Sequence, residues 1–148
     1  MSRLILLDAG PLGMMAHPRR DPAVVAWFRA LQQEGVGVAV PEIADYEVRR
    51  ELLRANLGAS IGRLNVLKSD LPYLPITTDI MLRAATFWAR VRRQGIPTAP
   101  DLALDADVIL AATAAERAGL GDDVVIATTN PRHLVRFVPA QLWHEIIP

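Results

Sequence analysis

Residues 4–8 read LILLD, and this stretch decides how the chain folds because four apolar residues in a row end directly at an aspartate. A short run that is apolar at successive positions is typical of a strand in a parallel sheet, where helices cover both faces. Two further apolar runs, VGVAV at 36–40 and VVIA at 124–127, lie later in the chain. The three runs predict an α/β fold with a mostly parallel sheet.

Helical periodicity fills the stretches between these runs. Asp21 followed by Pro22 predicts the start of a helix that ends near Gly35, since Asp is a good N-cap and Pro fits the first helical position. Further helices are predicted from about 44 to 58 and over 61–71, 79–95 and 107–119, with short strands over 73–76 and around 137–138. The segment 96–107, with two prolines and three aspartates, is predicted to be a loop.

The bulk properties exclude several classes of function. The 148 residues include no cysteine, which excludes disulfides, thiolate zinc sites and a cysteine nucleophile. The formal charge is zero, so a polyanion would have to be held by a local patch or through a metal. The first apolar run is too short for a signal peptide or a membrane span. We therefore expect one cytoplasmic domain over residues 1–148.

Acidic and amide side chains are predicted to meet at one edge of the sheet. Asp8 ends the first strand, Glu47 lies in the first turn of the helix after the second strand, and Asn130 follows the strand at 124–127. Ligands of parallel α/β sheets bind beyond the carboxyl ends of the strands. Asp107 can reach the same edge if its helix starts there.

Carboxylates that lie this close in a partly buried pocket need a cation. Oxygen ligands without Cys or His favour Mg²⁺ or Mn²⁺ over zinc, and such an ion suits phosphodiester hydrolysis. A carboxylate in the first turn of a helix can instead serve only the helix dipole. For Glu47 and Asp107 the residues alone leave both interpretations open.

Basic residues follow two of these acidic positions. Arg49 comes two residues after Glu47, and Arg132 comes two residues after Asn130. Both are predicted to bind substrate phosphates, because a guanidinium matches phosphate in a bidentate way. His133 is interpreted as a solvent-facing loop residue, with a general base as the alternative.

Four segments in the same order resemble the PIN-domain nucleases, in particular the VapC-type toxins of toxin–antitoxin pairs. They are LILLDAGPL at 4–12, PEIADYEVRREL at 41–52, DADVILAATA at 105–114 and VVIATTNPRHL at 124–134. The resemblance covers most of the chain. It implies a PIN-like three-layer α/β/α fold with a short, mostly parallel sheet of four to five strands.

The resemblance also implies a metal-dependent endoribonuclease with Asp8, Glu47 and Asp107 as ligands of Mg²⁺ or Mn²⁺. The fourth family position, often Asp and sometimes Asn, falls on Asn130. The family often carries Ser or Thr two residues after the first Asp, and this chain has Gly10 there, which removes a hydroxyl from the site.

The same resemblance assigns the neighbouring aspartates and the partners. Asp105 and Asp107 would point nearly opposite ways on a helix, so only one of them is expected to be a ligand. Asp107 is taken as the ligand and Asp105 as the helix cap, because DVILAATA is the part that matches the family. Asp101 is taken as a loop residue. The family implies an RNA substrate, a homodimer and an inhibitory antitoxin protein, and the short apolar run at the N-terminus argues against a membrane.

Two other classes of function stay open. Gly10 and Asn130 keep a catalytically weak or inactive PIN-like module for RNA or protein binding as an alternative. An aspartate-based phosphatase or a receiver-like domain would also place Asp8 at a strand end. A phosphatase of that type would need a second Asp where Gly10 stands, and a receiver would need paired acidic residues before Asp8.

Overall fold

A computed structural model describes residues 2–95 and 101–148 of the chain. The strands are β1 (Arg3–Leu7), β2 (Gly37–Pro41), β3 (Tyr73–Leu74), β4 (Asp123–Thr128) and β5 (Ala140–Leu142). The helices are α1 (Ala9–Ala16), α2 (Pro22–Gln33), α3 (Glu42–Arg54), α4 (Gly58–Asp70), α5 (Thr78–Arg93) and α6 (Asp101–Gly119). Short 3-10 helices span Leu134–Arg136 and Trp143–Glu145.

The strands form one parallel sheet in the order β3-β2-β1-β4-β5. The central strand is β1, where Leu6 lies opposite Ala39 of β2 and Ile126 of β4. The predicted α/β class with a parallel sheet is therefore confirmed. With every strand parallel, the ends of β1, β2 and β4 meet at one carboxyl edge, and this edge carries the candidate site.

Both faces of β1 are buried, which explains why its sequence is apolar without alternation. Leu4 and Leu6 belong to the cluster that includes side chains of α5 and α6. Ile5 and Leu7 belong to the cluster on the other face, which includes side chains of α1, α2, α3 and α4. Successive residues of a strand point to opposite faces, so a strand between two helical layers needs apolar residues at every position. The predicted three-layer arrangement is confirmed.

Some element bounds differ from the predictions. Helix α1 was not predicted, because Gly10, Pro11 and Gly13 are poor helix formers. It forms since Asp8 caps it and the missing N–H of Pro11 falls in the first turn, where no helical partner is needed. The last strand is β5 at Ala140–Leu142 rather than 137–138. The ring of Phe137 instead stacks on Phe87 at 4.8 Å.

The largest difference concerns the predicted loop at 96–107. Residues 96–100 lie outside the described part of the chain, and from Asp101 onward the backbone is helical. The prediction of a loop over 101–107 is wrong. Acidic side chains near a helix N-terminus interact favourably with the helix dipole, so the aspartates of this segment stabilise a helix. Across the described ranges, no helix combines the length and the apolar character that a membrane span requires.

Candidate metal centre

Asp8 is held rigidly at the carboxyl edge of the sheet. Its backbone N–H donates to Ala127 O at 2.9 Å, which extends the pairing of β1 with β4 by one residue. As the N-cap of α1, it accepts the Ala9 N–H on Oδ1 at 2.7 Å. Its Oδ2 accepts the Thr128 hydroxyl at 2.7 Å. Each carboxylate oxygen has two lone pairs, so each still has one for a ligand.

Glu47 reaches the same edge from the second turn of α3. That helix begins at Glu42, directly after β2, so the prediction of a start near Ala44 with Glu47 in the first turn is wrong. Glu42 itself accepts hydrogen bonds from the Tyr73 hydroxyl and the Ile76 N–H, which ties the start of α3 to the segment around β3. Because Glu47 lies beyond the first turn, an interaction with the helix dipole no longer explains it.

Asp107 lies in the second turn of α6, not at its start. The interpretation of Asp105 as the helix cap is therefore wrong, since four helical residues precede it. Asp105 is exposed and lines a groove between α5 and α6, whereas Asp107 is half-buried and interacts with Asp8. The side chain of Asp101 lies outside the described part of the structure.

The three predicted ligands interact electrostatically with one another. The pKa of Glu47 is raised to about 7, mainly by burial and also by the charges of Asp8 and Asp107, while the charge of Arg50 opposes this shift. Burial and the charge of Asp8 raise the pKa of Asp107 to about 6. Burial also raises the pKa of Asp8, against the hydrogen bonds from Thr128 and Ala9. The fold thus brings together three carboxylates that repel one another.

This donor set suits a hard divalent cation. Within residues 2–95 and 101–148, no three acidic or histidine side chains already surround one point as ligands would. Carboxylates repel one another over distances longer than a Mg²⁺–oxygen bond of about 2.0–2.1 Å. The three side chains can therefore interact electrostatically without yet standing in ligand positions. Glu47 and Asp107 have no hydrogen-bond partner among the described residues, so no hydrogen bond holds either side chain away from Asp8. A cation would relieve the repulsion that raises their pKa values.

Two threonines of the site were missed by sequence reasoning. Thr128 is buried, donates its hydroxyl to Asp8 and accepts the Asn130 N–H at 3.1 Å. The Thr129 side chain lies against Gly10. A signal was present, since two hydroxyl residues follow the apolar run that pairs with the strand ending at Asp8.

Asn130 lies at the rim of the site. It is exposed, and its Oδ1 accepts the backbone N–H of Arg132 at 3.4 Å. Its backbone N–H, rather than its side chain, connects it through Thr128 to Asp8. A role for the Asn130 amide in catalysis stays a prediction.

The arginines near the site differ in how firmly they are held. Arg49 donates to both carboxylate oxygens of the buried Asp45, at 3.0 and 2.9 Å, and to Asn65 at 2.8 Å. Arg132 is exposed beside Asn130. Arg50 lies over the Tyr46 ring and lowers the pKa of Glu47. Phosphate binding by Arg49 and Arg132 stays a prediction, and it would compete with the ion pair at Arg49.

His133 is half-buried, and its Nδ1 has no hydrogen-bond partner within the described ranges. Burial and the charges of Arg136 and Arg132 lower its pKa. The imidazole is therefore held in its neutral form near neutral pH. The interpretation of a fully solvent-facing residue is too simple for this position.

We expect the metal-free protein to lose stability as the pH rises from about 4.5, the ordinary pKa of Glu47, to about 7, its pKa in the folded protein. A carboxyl group whose pKa is raised on folding binds its proton more tightly in the folded state, so stability falls as the pH passes through the folded pKa. For Glu47 that pKa is about 7. Because this side chain is partly exposed, screening leaves a cost of about 1–2 kcal/mol at high pH. Glu47→Gln should raise the melting temperature of chelator-treated protein at about pH 8 by several degrees.

Glu34→Gln is the matched control, because Glu34 is exposed at the end of α2. This variant should follow the wild-type pH dependence. An unchanged or lower melting temperature of Glu47→Gln at high pH would show that Glu47 is not under repulsion.

Comparisons with solved structures identify the same fold. A chain of the FitAcB crystal structure from Neisseria gonorrhoeae matches with a TM-score of 0.71 and 20% identity, covering 96% of this chain and 99% of that chain. A chain of VapBC2 from Rickettsia felis, bound to a DNA fragment from their promoter, matches with a TM-score of 0.72 and 11% identity. That match covers 93% of this chain and 97% of the other.

A chain of DNA-bound VapBC from Salmonella typhimurium matches with a TM-score of 0.68 and 17% identity, over 97% of this chain and 99% of that one. No family model and no curated protein matches the sequence. At these identities the likeness establishes the fold alone. The PIN-like α/β fold predicted from the four segments is therefore confirmed, and the function must be argued from the site.

Proposed function

We propose that this chain is a divalent-metal-dependent endoribonuclease that acts in the cytoplasm as the toxin of a toxin–antitoxin pair. The observation that carries the proposal is the electrostatic coupling of Asp8, Glu47 and Asp107 at the carboxyl edge of the sheet. A fold does not retain three mutually repelling carboxylates for stability, because their repulsion costs folding free energy. Such groups cluster where function requires them.

The residues of the chain have distinct parts in this proposal. Asp8, Glu47 and Asp107 would hold Mg²⁺ or Mn²⁺, and Thr128 fixes the orientation of the Asp8 carboxylate. The bound ion would neutralise charge on an RNA phosphodiester and activate water for its hydrolysis. Asn130 lies at the rim as a neutral polar group, where it can contact the substrate.

The toxin role and the partners rest on the solved structures of the same fold. The matching chains come from FitAcB and VapBC assemblies, two of which were solved bound to DNA. By analogy we propose that this chain binds an antitoxin protein and forms a homodimer. Binding of the antitoxin would have to be removed before activity is measured.

The test is cleavage of a panel of structured RNAs by protein freed of any copurified partner. Cleavage is expected with Mn²⁺ or Mg²⁺, is expected to stop with chelator, and should return when metal is restored. Asp8→Asn, purified in the same way, controls for contaminating nucleases and should be slower by more than about 100-fold, since even outer-shell changes at metal sites cost 10–100-fold. Equal cleavage by wild type and Asp8→Asn would refute the proposal that this chain is a nuclease.

The position of Asn130 supports one alternative function. Its amide oxygen accepts the backbone N–H of Arg132 in the same turn and does not face the carboxylates. A PIN-like module with weak or no catalysis would still bind RNA or a protein partner. Wild-type protein that binds Mn²⁺ but cleaves none of the RNAs would support this alternative.

A further inference from the structure

Gly10 and Thr129 make an unusually close contact beside Asp8. A Cβ added to Gly10 would lie 2.7 Å from Thr129 Cγ2 and 2.8 Å from Thr129 Oγ1. The Thr129 side chain therefore fills the space that a side chain at position 10 would need. Gly10 lies in the first turn of α1, the helix that Asp8 caps, and Thr129 follows Thr128, which donates to Asp8.

Rotation of Thr129 does not remove this conflict. Two of the three staggered positions on a threonine Cβ carry heavy atoms, and here both of them face Gly10. Any other rotamer still leaves one heavy atom on that side. The Thr129 Cβ itself would lie 3.3 Å from the added atom. Threonine at 129 in this position thus requires glycine at 10.

The Thr129 hydroxyl is available for a ligand. Thr129 is exposed, and its hydroxyl forms no hydrogen bond with any residue that the structure describes. The Thr128 hydroxyl next to it is already used by Asp8 and by the Asn130 N–H. Carboxylates only accept hydrogen bonds when ionised, so a free hydroxyl adds a donor that the three acids lack.

We propose that Thr129 supplies the neutral hydroxyl of the metal centre, in the space that Gly10 leaves open. Gly10 is then the residue that makes room for a hydroxyl from the segment directly after β4. The hydroxyl hydrogen-bonds to water held beside Asp8, as outer-shell groups at metal sites do. This inference rests on the proposed metal centre and adds a residue to it.

The hydroxyl is tested by calorimetric titration of the purified chain with Mn²⁺ alone. Thr129→Val keeps the branched shape and removes the hydroxyl, so we expect the Kd for Mn²⁺ to rise about tenfold. Its melting temperature should stay within about 2 °C of wild type, as for a surface substitution. Thr129→Ser keeps the hydroxyl, and its Kd should stay within about twofold of wild type.

The contact between the two residues is tested by a double-mutant cycle on melting temperature. Gly10→Ala alone should lower the melting temperature by several degrees because of the clash with Thr129. In a Thr129→Gly background the same change should raise it, since alanine is the better helix former once the space is empty. Gly10→Ser combined with Thr129→Gly moves the hydroxyl to position 10. The Kd of this double variant for Mn²⁺ should be lower than that of Thr129→Gly alone.

Wild-type Mn²⁺ affinity in Thr129→Val would overturn the role of the hydroxyl. The same effect of Gly10→Ala in both backgrounds would overturn the steric pairing. If wild type itself binds no Mn²⁺, the proposed metal centre fails and this inference fails with it. If wild type binds Mn²⁺ and Thr129→Val binds it with the same Kd, the proposed metal centre is retained and only the role of Thr129 is rejected.

Discussion

If Asp107 is a ligand as proposed, Asp107→Asn is expected to weaken Mn²⁺ binding and to slow RNA cleavage by more than about 100-fold, because losing a ligand costs more than losing an outer-shell group. The melting temperature of the metal-free variant should not fall. The pKa of Asp107 is raised to about 6 by burial and by the charge of Asp8, so removing its charge relieves repulsion in the folded state. Loss of binding without loss of stability separates a ligand from a structural residue.

Asp105→Asn is the matched control for this experiment. It makes the same chemical change two residues earlier on α6, where Asp105 is exposed and faces the groove beside α5. Its Mn²⁺ affinity and cleavage rate should stay within about twofold of wild type, as for a surface substitution. If Asp105→Asn lost activity and Asp107→Asn kept it, the ligand would have been assigned to the wrong aspartate.

Leu6→Ala is expected to cost about 3–4 kcal/mol of unfolding free energy, the largest effect on stability that we predict. Leu6 is fully buried on the central strand, opposite Ala39 and Ile126, in the cluster that includes side chains of α5 and α6. Strands on both sides prevent the cavity from collapsing. Urea unfolding should show the loss, with a melting temperature lower by about 10 °C.

Leu120→Ala makes the same change where the side chain is 69% exposed, and it should alter the unfolding free energy by less than about 0.5 kcal/mol. Comparable losses in the two variants would mean that β1 is not the buried centre of the sheet. Because Asp8 directly follows β1, Leu6→Ala should also weaken Mn²⁺ binding as the protein approaches its midpoint of unfolding.

Sequence reasoning placed Asp8 correctly because the evidence for it is local. An aspartate directly after an apolar strand must lie at a sheet edge, whatever the rest of the chain does. Asp107 and Asp105 show where such reasoning ends. Residues 101–107 contain signals for both a loop and a helix. The predicted start of α6 at 107 is six residues too late, and this error led to the interpretation of Asp105 as the helix cap. The choice of Asp107 came from the family segment.

Some features of the site could not be read from local sequence at all. The pairing of Thr129 with Gly10 joins residues that are far apart in the chain, and it exists only because β4 pairs with β1 in a particular register. The same register puts the Thr128 hydroxyl on Asp8. Likewise, the sequence did not predict the ion pair that Arg49 makes with Asp45, four residues earlier on the same helix.

The sequence by itself determined that LILLD forms a strand buried on both faces, since apolar residues at successive positions are stable only between two helical layers. It also determined that an acidic group ends that strand. Only the tertiary structure decided what surrounds Asp8, because the partners come from α3, α6 and β4 and their approach depends on strand register and helix packing. Hydrophobic burial follows residue type, whereas a site depends on distances between atoms that the chain brings together only on folding.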